Sequence, residues 1–246
     1  MNRFFLEKIK FSQKDIILSD PGQLHHLRDV LRIKPHERII VFDNSGDEYI
    51  ASVNAISSSA ANLGLIEKKH YEDGSTIKIT VACAIPKSAK LDDIIDKLTQ
   101  LGVECIIPVE TERVIVKLNR QKKIERWLRW KKIALSAAKQ SQGSRLPIVK
   151  QICGLKEATS QTDNFDLKLI PTLEGARKTL REIFANAPRR INRVMVLIGP
   201  EGDFTPGEVS LAKDAGFLPT SLGRQILRVD TAAIAVVSYI KLNEEF

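Results

Sequence analysis

Around the polar stretch Tyr71-Glu72-Asp73-Gly74-Ser75 the chain changes rhythm, and one sheet cannot accommodate both halves. Before it, short apolar runs at 2–7, 15–18, 37–43, 48–56 and 61–68 read as strands. One helix interrupts them. Asp20 can cap it, Pro21 takes its first position, and Leu24, Leu27 and Val30/Leu31 form an apolar stripe. Many short strands with one helix predict a small β-barrel over residues 1–72. After the polar stretch, strands alternate with helices. Strands are expected at 76–85, 104–109, 166–170, 193–198 and 217–222. Helices are expected at 88–101, stopped by Gly102, and at 121–141, 174–186, 206–215 and 230–243. Such alternation predicts an α/β domain over 73–246, a mostly parallel sheet with helices on both faces. A chain of 246 residues has room for both without disulfide or metal staples.

Charge divides along the same line. Residues 1–72 carry 10 basic and 10 acidic residues, so the whole formal charge of +8 falls in 73–246, with 28 and 20. Between residues 113 and 150 stand 12 Lys and Arg against a single acid, Glu125. A basic run can be a solvated helix face, but this density points to a polyanion surface that neutralises phosphates. Trp127 and Trp130 share helical spacing with Ile124, Leu128, Ala134 and Leu135, so they are expected in a core rather than as base-stacking platforms.

Several chemistries are excluded. Cys83, Cys105 and Cys153 form no CxxC pair, which removes zinc ribbons and dithiol redox sites and fits a reducing cytoplasm. The N-terminal MNRFFLEKIK lacks a signal-peptide core, and the charge-free stretch 231–240 is about half a membrane span. His25, His26, His36 and His70 all precede residue 71, so a site in the α/β half has no His base, no Ser-His-Asp triad and no His metal centre. No GxG and no GxxxxGK[ST] occurs, which excludes the dinucleotide fingerprint, the glycine-rich loop of common methyltransferases and the P-loop.

Two segments carry chemistry instead. In VMVLIGPEGDFTPGEV a strand ends at Ile198, Gly199 and Gly202 allow a tight backbone-exposing loop, and Thr205-Pro206-Gly207-Glu208 reads as a capping box. Strand, glycine loop and capped helix present backbone groups to a ligand, although an ordinary tight turn has the same outline. In LPTSLGRQILRVDTAAIAVVSYI a strand ends at Gly223, a loop follows, and a helix opens near Asp230-Thr231 with small residues Ala232, Ala233 and Ala235. Arg228 stands before that helix, where it can meet an anion.

At these two segments the chain resembles the SPOUT superfamily of methyltransferases, and within it the 16S rRNA uracil-N3 methyltransferase (RsmE) family. The residues that carry the resemblance are Ile198-Gly199-Pro200-Glu201-Gly202-Asp203-Phe204…Glu208 and Leu222-Gly223-Arg224-Gln225-Ile226-Leu227-Arg228-Val229-Asp230-Thr231-Ala232. Arg3-Phe4-Phe5, His25-His26-Leu27, Val30-Leu31-Arg32, Phe42-Asp43, Leu101-Gly102-Val103, Glu112-Arg113 and Gln140-Ser141 extend it along nearly the whole chain. Four positions depart from the family pattern. Asp203 stands where a second Gly is usual, Gln225 where the first Arg of RILR is usual, Gln142-Gly143 where Gly-Arg is usual, and Asp230 where Glu is usual.

The resemblance implies a PUA-like RNA-binding barrel, a SPOUT domain with a trefoil knot, a homodimer, and S-adenosyl-L-methionine as donor to N3 of a uridine in 16S rRNA of the small ribosomal subunit. It places Leu173, Ile198, Gly199, Pro200, Gly202, Leu222, Gly223, Ile226, Leu227 and Thr231 around the donor, mostly through backbone. Arg228 becomes the candidate for stabilising charge on the uracil, with Glu201 or Asp230 orienting the donor or accepting the proton. Arg3, Arg28, Arg32, Arg113, Lys122, Lys123, Arg126, Arg129 and Arg145 become candidate RNA-phosphate contacts, and no metal is expected. Two other readings fit the same residues: a SPOUT enzyme acting on another RNA base, and a silent RNA-binding ribosome-assembly factor.

Overall fold

The computed structural model describes residues 1–7, 9, 11, 12, 15–70, 77–87, 90–113, 118–143, 145–160, 162–187 and 190–243. It divides into two compact units, residues 1–74 with 138–146 and residues 75–137 with 147–246. The boundary expected near residue 72, and the expected helix start at Ser88, lie outside the described residues.

The first unit runs β1 (Asn2–Phe5), β2 (Phe11–Ser12), β3 (Asp15–Leu18), α1 (Pro21–His25), β4 (Arg38–Phe42), β5 (Asp47–Ile56) and β6 (Ala61–His70). The sheet order is β1-β4-β5-β6-β3-β2, antiparallel except for β1 on β4. Register shifts at Ile50/Ala51 and Val53/Ala55 curl it around one core of Phe4, Ile16, Leu18, Leu24, Leu27 and Leu63. As the sequence indicates, Asp20 caps α1 and Pro21 opens it. A π-helical turn, His26–Val30, continues α1. Residues 138–146 complete the unit. Lys139 Nζ donates to Gln23 Oε1 at 2.8 Å and lies over the Phe4 ring.

The second unit contains β7 (Lys78–Ala84), α2 (Lys90–Gln100), β8 (Cys105–Glu110), α3 (Arg120–Gln140, whose last residues belong to the first unit), β9 (Ile148–Val149), β10 (Cys153–Gly154) and α4 (Leu155–Thr159). It continues with β11 (Leu167–Pro171), β12 (Lys178–Thr179), α5 (Leu180–Ala185), β13 (Arg193–Ile198), α6 (Pro206–Asp214), β14 (Leu218–Ser221) and α7 (Val229–Leu242). All pairs are parallel, in the order β10-β8-β7-β13-β11-β14-β12, with β9 also on β8. Gly102, at φ 71°, stops α2 as expected. The helix expected over 174–186 is shorter. Gly175 takes φ 64°, β12 follows, and Thr179 starts α5 with a Glu182 capping box. Trp130 is buried and donates to Asp92 Oδ1, and half-buried Trp127 donates to the Val149 carbonyl. Both therefore serve the core, as their spacing suggests. After β14 the chain returns past β11, and α7 packs on α2, β7 and β13.

Candidate active site

β11 lies between β13 and β14 and all three run parallel, so the loops leaving their carboxyl ends (172–177, 199–205 and 222–228) meet. They enclose a cleft of about 610 Å³, open mouth included.

The loop after β13 is tight. A Cβ on Gly199 would stand 3.1 Å from the Phe204 ring and 3.3 Å from Asp203 Oδ1, and Phe204 is buried. A side chain there would have to push the buried Phe204 ring aside by a few tenths of an ångström. Asp203 turns back at φ 59° and donates its N–H to the Pro200 carbonyl at 3.0 Å. Its Oδ1 accepts from Phe204 N–H (2.8 Å), and its Oδ2 accepts from Thr172 Oγ1 (2.9 Å) and Leu173 N–H (2.6 Å). Thr205 and Glu208 form the expected capping box of α6, and buried Glu208 also accepts from Glu112 N–H. Arg113 Nη1 donates to the carbonyls of Gly202 and Phe204. Glu201 lines the cleft and accepts from Lys87 N–H through Oε1 at 3.1 Å. Beneath it, burial pushes the Cys83 thiol up to about 12, with the Glu201 charge adding, so Cys83 is no nucleophile at neutral pH.

Thr172, also buried, organises the loop after β11. Its Oγ1 accepts from Glu174 N–H, and its carbonyl accepts from Arg177 Nη1. In the loop after β14, the N–H groups of residues 224–227 have no acceptor among the described residues, and Ile226 is 76% exposed. Arg228, exposed, is the N-cap of α7 and makes no side-chain cap bond. Asp230 is thus inside the helix rather than its cap, and its Oδ1 is buried without a partner among the described residues.

The cleft lining brings together Leu173, Ile198, Gly199, Pro200, Glu201, Leu222, Gly223, Ile226 and Leu227 of the expected site. Gly202, Thr231, Arg228 and Asp230 fall outside it. A Cβ on Gly202 would meet Arg113 Cδ at an ordinary 3.5 Å, so of the two glycines only Gly199 is tightly confined. The lining adds Thr172, Arg177, Asp203 and Gln225. The only sequence signal for the first two was their place just after the expected strand 166–170, which an expected helix over 174–186 obscured.

The basic candidates separate. Arg3 is corrected: its side chain is 7% exposed, pairs with buried Glu48 through both Nη atoms and donates to the Gly143 carbonyl, so no phosphate reaches it. Arg113 is drawn into bracing the GPEG loop. Arg28 pairs with Asp29, Lys123 with Glu110 and Arg129 with Asp92, all partly exposed. Lys122, Arg32 and Arg145 are exposed and Arg126 is half-buried.

A family described as the RNA methyltransferase domain matches residues 73–241, and one described as the RNA methyltransferase PUA domain matches 18–66. The ribosomal RNA small subunit methyltransferase E of Mesomycoplasma hyopneumoniae is 31% identical over 97% of this chain and 98% of its own length. The protein of that name from Bacillus subtilis is 28% identical over 100% of this chain and 98% of its own length. The Neisseria gonorrhoeae protein of that name, solved bound to S-adenosylmethionine, superposes with a TM-score of 0.86 at 30% identity, covering 98% and 97% of the two chains.

Proposed function

Because the chain belongs to the RNA methyltransferase family, we propose that it transfers a methyl group from S-adenosylmethionine to N3 of a uridine in 16S rRNA, as a cytoplasmic homodimer. The observation that carries this reading is the cleft at the ends of β11, β13 and β14. Its residues suit the donor. Gly199 lines it with backbone alone, Leu173, Leu222, Ile226 and Leu227 offer apolar surface to an adenine, and the unused N–H groups of 224–227 offer donors. The bound donor supplies an electrophilic methyl carbon on a sulfonium.

The chain's residues supply the rest. Uracil N3 carries a proton at neutral pH and must lose it as the new bond forms, which leaves charge on O2 or O4. Arg228, exposed at the N-terminus of α7 where the helix adds positive potential, is our candidate for stabilising that charge. Glu201 lines the cleft with Oε1 held by Lys87 N–H, so Oε2 is left to accept the N3 proton, directly or through water. Asp230, with its orphaned Oδ1, orients a neighbouring donor group. Cations of α3, exposed Lys122 and half-buried Arg126 among them, hold RNA phosphates.

The purified chain, with isotopically labelled donor and small subunits lacking the modification, should yield labelled N3-methyluridine by mass analysis of nucleosides. Arg228→Ala should lower single-turnover methylation about 10²–10³-fold at saturating RNA while leaving donor affinity within a few-fold. Label on a different nucleoside would redirect the substrate assignment, and no transfer would overturn the enzyme reading. Full recovery of the variant at high RNA would make Arg228 a phosphate contact.

A further inference from the structure

Asp203 departs from the glycine that the family resemblance leads one to expect, and the departure does something specific. A left-handed residue with a Cβ is strained, and an acidic side chain tolerates the strain best when it bonds locally. Asp203 does so within its own loop through Oδ1 and Phe204 N–H. Its Oδ2 does something different. It reaches 31 positions back to the loop after β11 and takes two donors there, Thr172 Oγ1 and Leu173 N–H. A glycine at 203 would make neither bond.

The receiving loop is built around the same residue. Thr172 is 5% exposed, and its polar atoms are all engaged. Its N–H donates to the Thr220 carbonyl, its carbonyl accepts from Arg177, and its hydroxyl accepts from Glu174 N–H while donating to Asp203. The next residue, Leu173, is 52% exposed and lines the cleft. Through Thr172 the clasp also reaches Thr220, at the end of β14, so all three strand ends are joined. One carboxylate thus bonds the loop after β11 to the loop after β13.

We infer that Asp203 and Thr172 form a positioning pair that holds the Leu173 wall against the GPEG loop and so sets its affinity for the methyl donor. The inference rests on the donor-site reading above. Neither residue performs chemistry. The pair removes freedom from the empty cleft, so less ordering remains to be done when the donor binds. Its effect belongs in donor Kd and KM, not in turnover once the donor is saturating.

Substitution separates this role from plain support of the fold. Asp203→Gly removes the clasp and also relieves the left-handed strain, so the melting temperature should hold while donor affinity falls. Thr172→Val keeps the shape and removes the hydroxyl, whereas Thr172→Ser restores it. Titration calorimetry with S-adenosylmethionine on the full chain should give a Kd raised about tenfold for Asp203→Gly and for Thr172→Val, the loss expected for a buried bond left unmade, with Thr172→Ser close to wild type. Donor KM should rise in parallel while kcat stays within about twofold. A Kd within twofold of wild type for both Asp203→Gly and Thr172→Val overturns the inference. So does a loss of activity that follows the folded fraction with KM unchanged. Wild-type protein that fails to bind the donor would instead overturn the donor-site reading itself.

Discussion

At the residue scale, two departures from the family pattern share a backbone cause. Asp203 and Gln142 stand where glycine is usual, and both hold left-handed backbone, at φ 59°. Asp203 answers the strain with bonds, whereas the Gln142 side chain makes none among the described residues. Gln142 sits just past α3, where Gly143 N–H closes the helix onto the Ala138 carbonyl at 3.0 Å. That closure favours glycine at the left-handed position, and here the glycine stands one residue later. Relief of a left-handed Cβ is worth about 1–2 kcal/mol, offset by the greater entropy of unfolded glycine. Gln142→Gly is therefore expected to stabilise the chain by about 0.5–1 kcal/mol, read as a rise in melting temperature. A fall would assign the side chain a partner of its own. That Asp203 is unusual was legible in the sequence. That it reaches Thr172 was not, because hydrophobic periodicity carries no information about contacts across 31 positions.

At the element scale, α3 shows how much a helical pattern reveals and where it stops. Its length, its basic character and the inward-facing tryptophans, Trp130 buried and Trp127 half-buried, were all readable from spacing and charge. Its last turn was not, because residues 138–146 belong with the first unit. Arg3 helps to tie them in, between Glu48 and the Gly143 carbonyl and over the Phe42 ring. An arginine near the start of a barrel reads as an RNA contact only until its burial is seen. Arg3→Ala leaves Glu48 as an unpaired buried charge and should cost about 3–5 kcal/mol of stability. Replacing both partners, Arg3→Met with Glu48→Leu, should recover most of that. Denaturant unfolding checks both. An Arg3→Ala protein of wild-type stability with weakened RNA binding would return Arg3 to the RNA surface. Where helix ends were signalled by capping boxes, as at Thr205, the sequence placed them well. At Thr179 the same signal was present, although the helix was expected to start earlier, at 174.

At the scale of the whole molecule, alternation of strands and helices identified a parallel sheet but not its order. The order decides the site, because only with β11 between β13 and β14 do the loops carrying Thr172, Gly199 and Ile226 share one cleft. The family resemblance carried that step. Charge is the global property the sequence states outright, with the whole +8 in residues 73–246 and its densest run on α3. Local pairing then determines which cations remain for RNA. Lys123 and Arg129 face Glu110 and Asp92, so part of their charge is spent within the protein. Lys122, Arg126 and Lys132 have no side-chain partner among the described residues. Each phosphate contact made by such a side chain releases counterions and adds roughly 0.7–0.9 to the slope of log affinity against log salt. The triple variant Lys122→Ala, Arg126→Ala, Lys132→Ala should therefore flatten that slope by roughly two, measured by RNA titration across a salt series. The pair Lys123→Ala, Arg129→Ala should flatten it by less per residue removed, because each loss also frees a carboxylate that was already neutralising the cation. An unchanged slope in the triple variant would make this helix face solvated surface and move the RNA contact elsewhere.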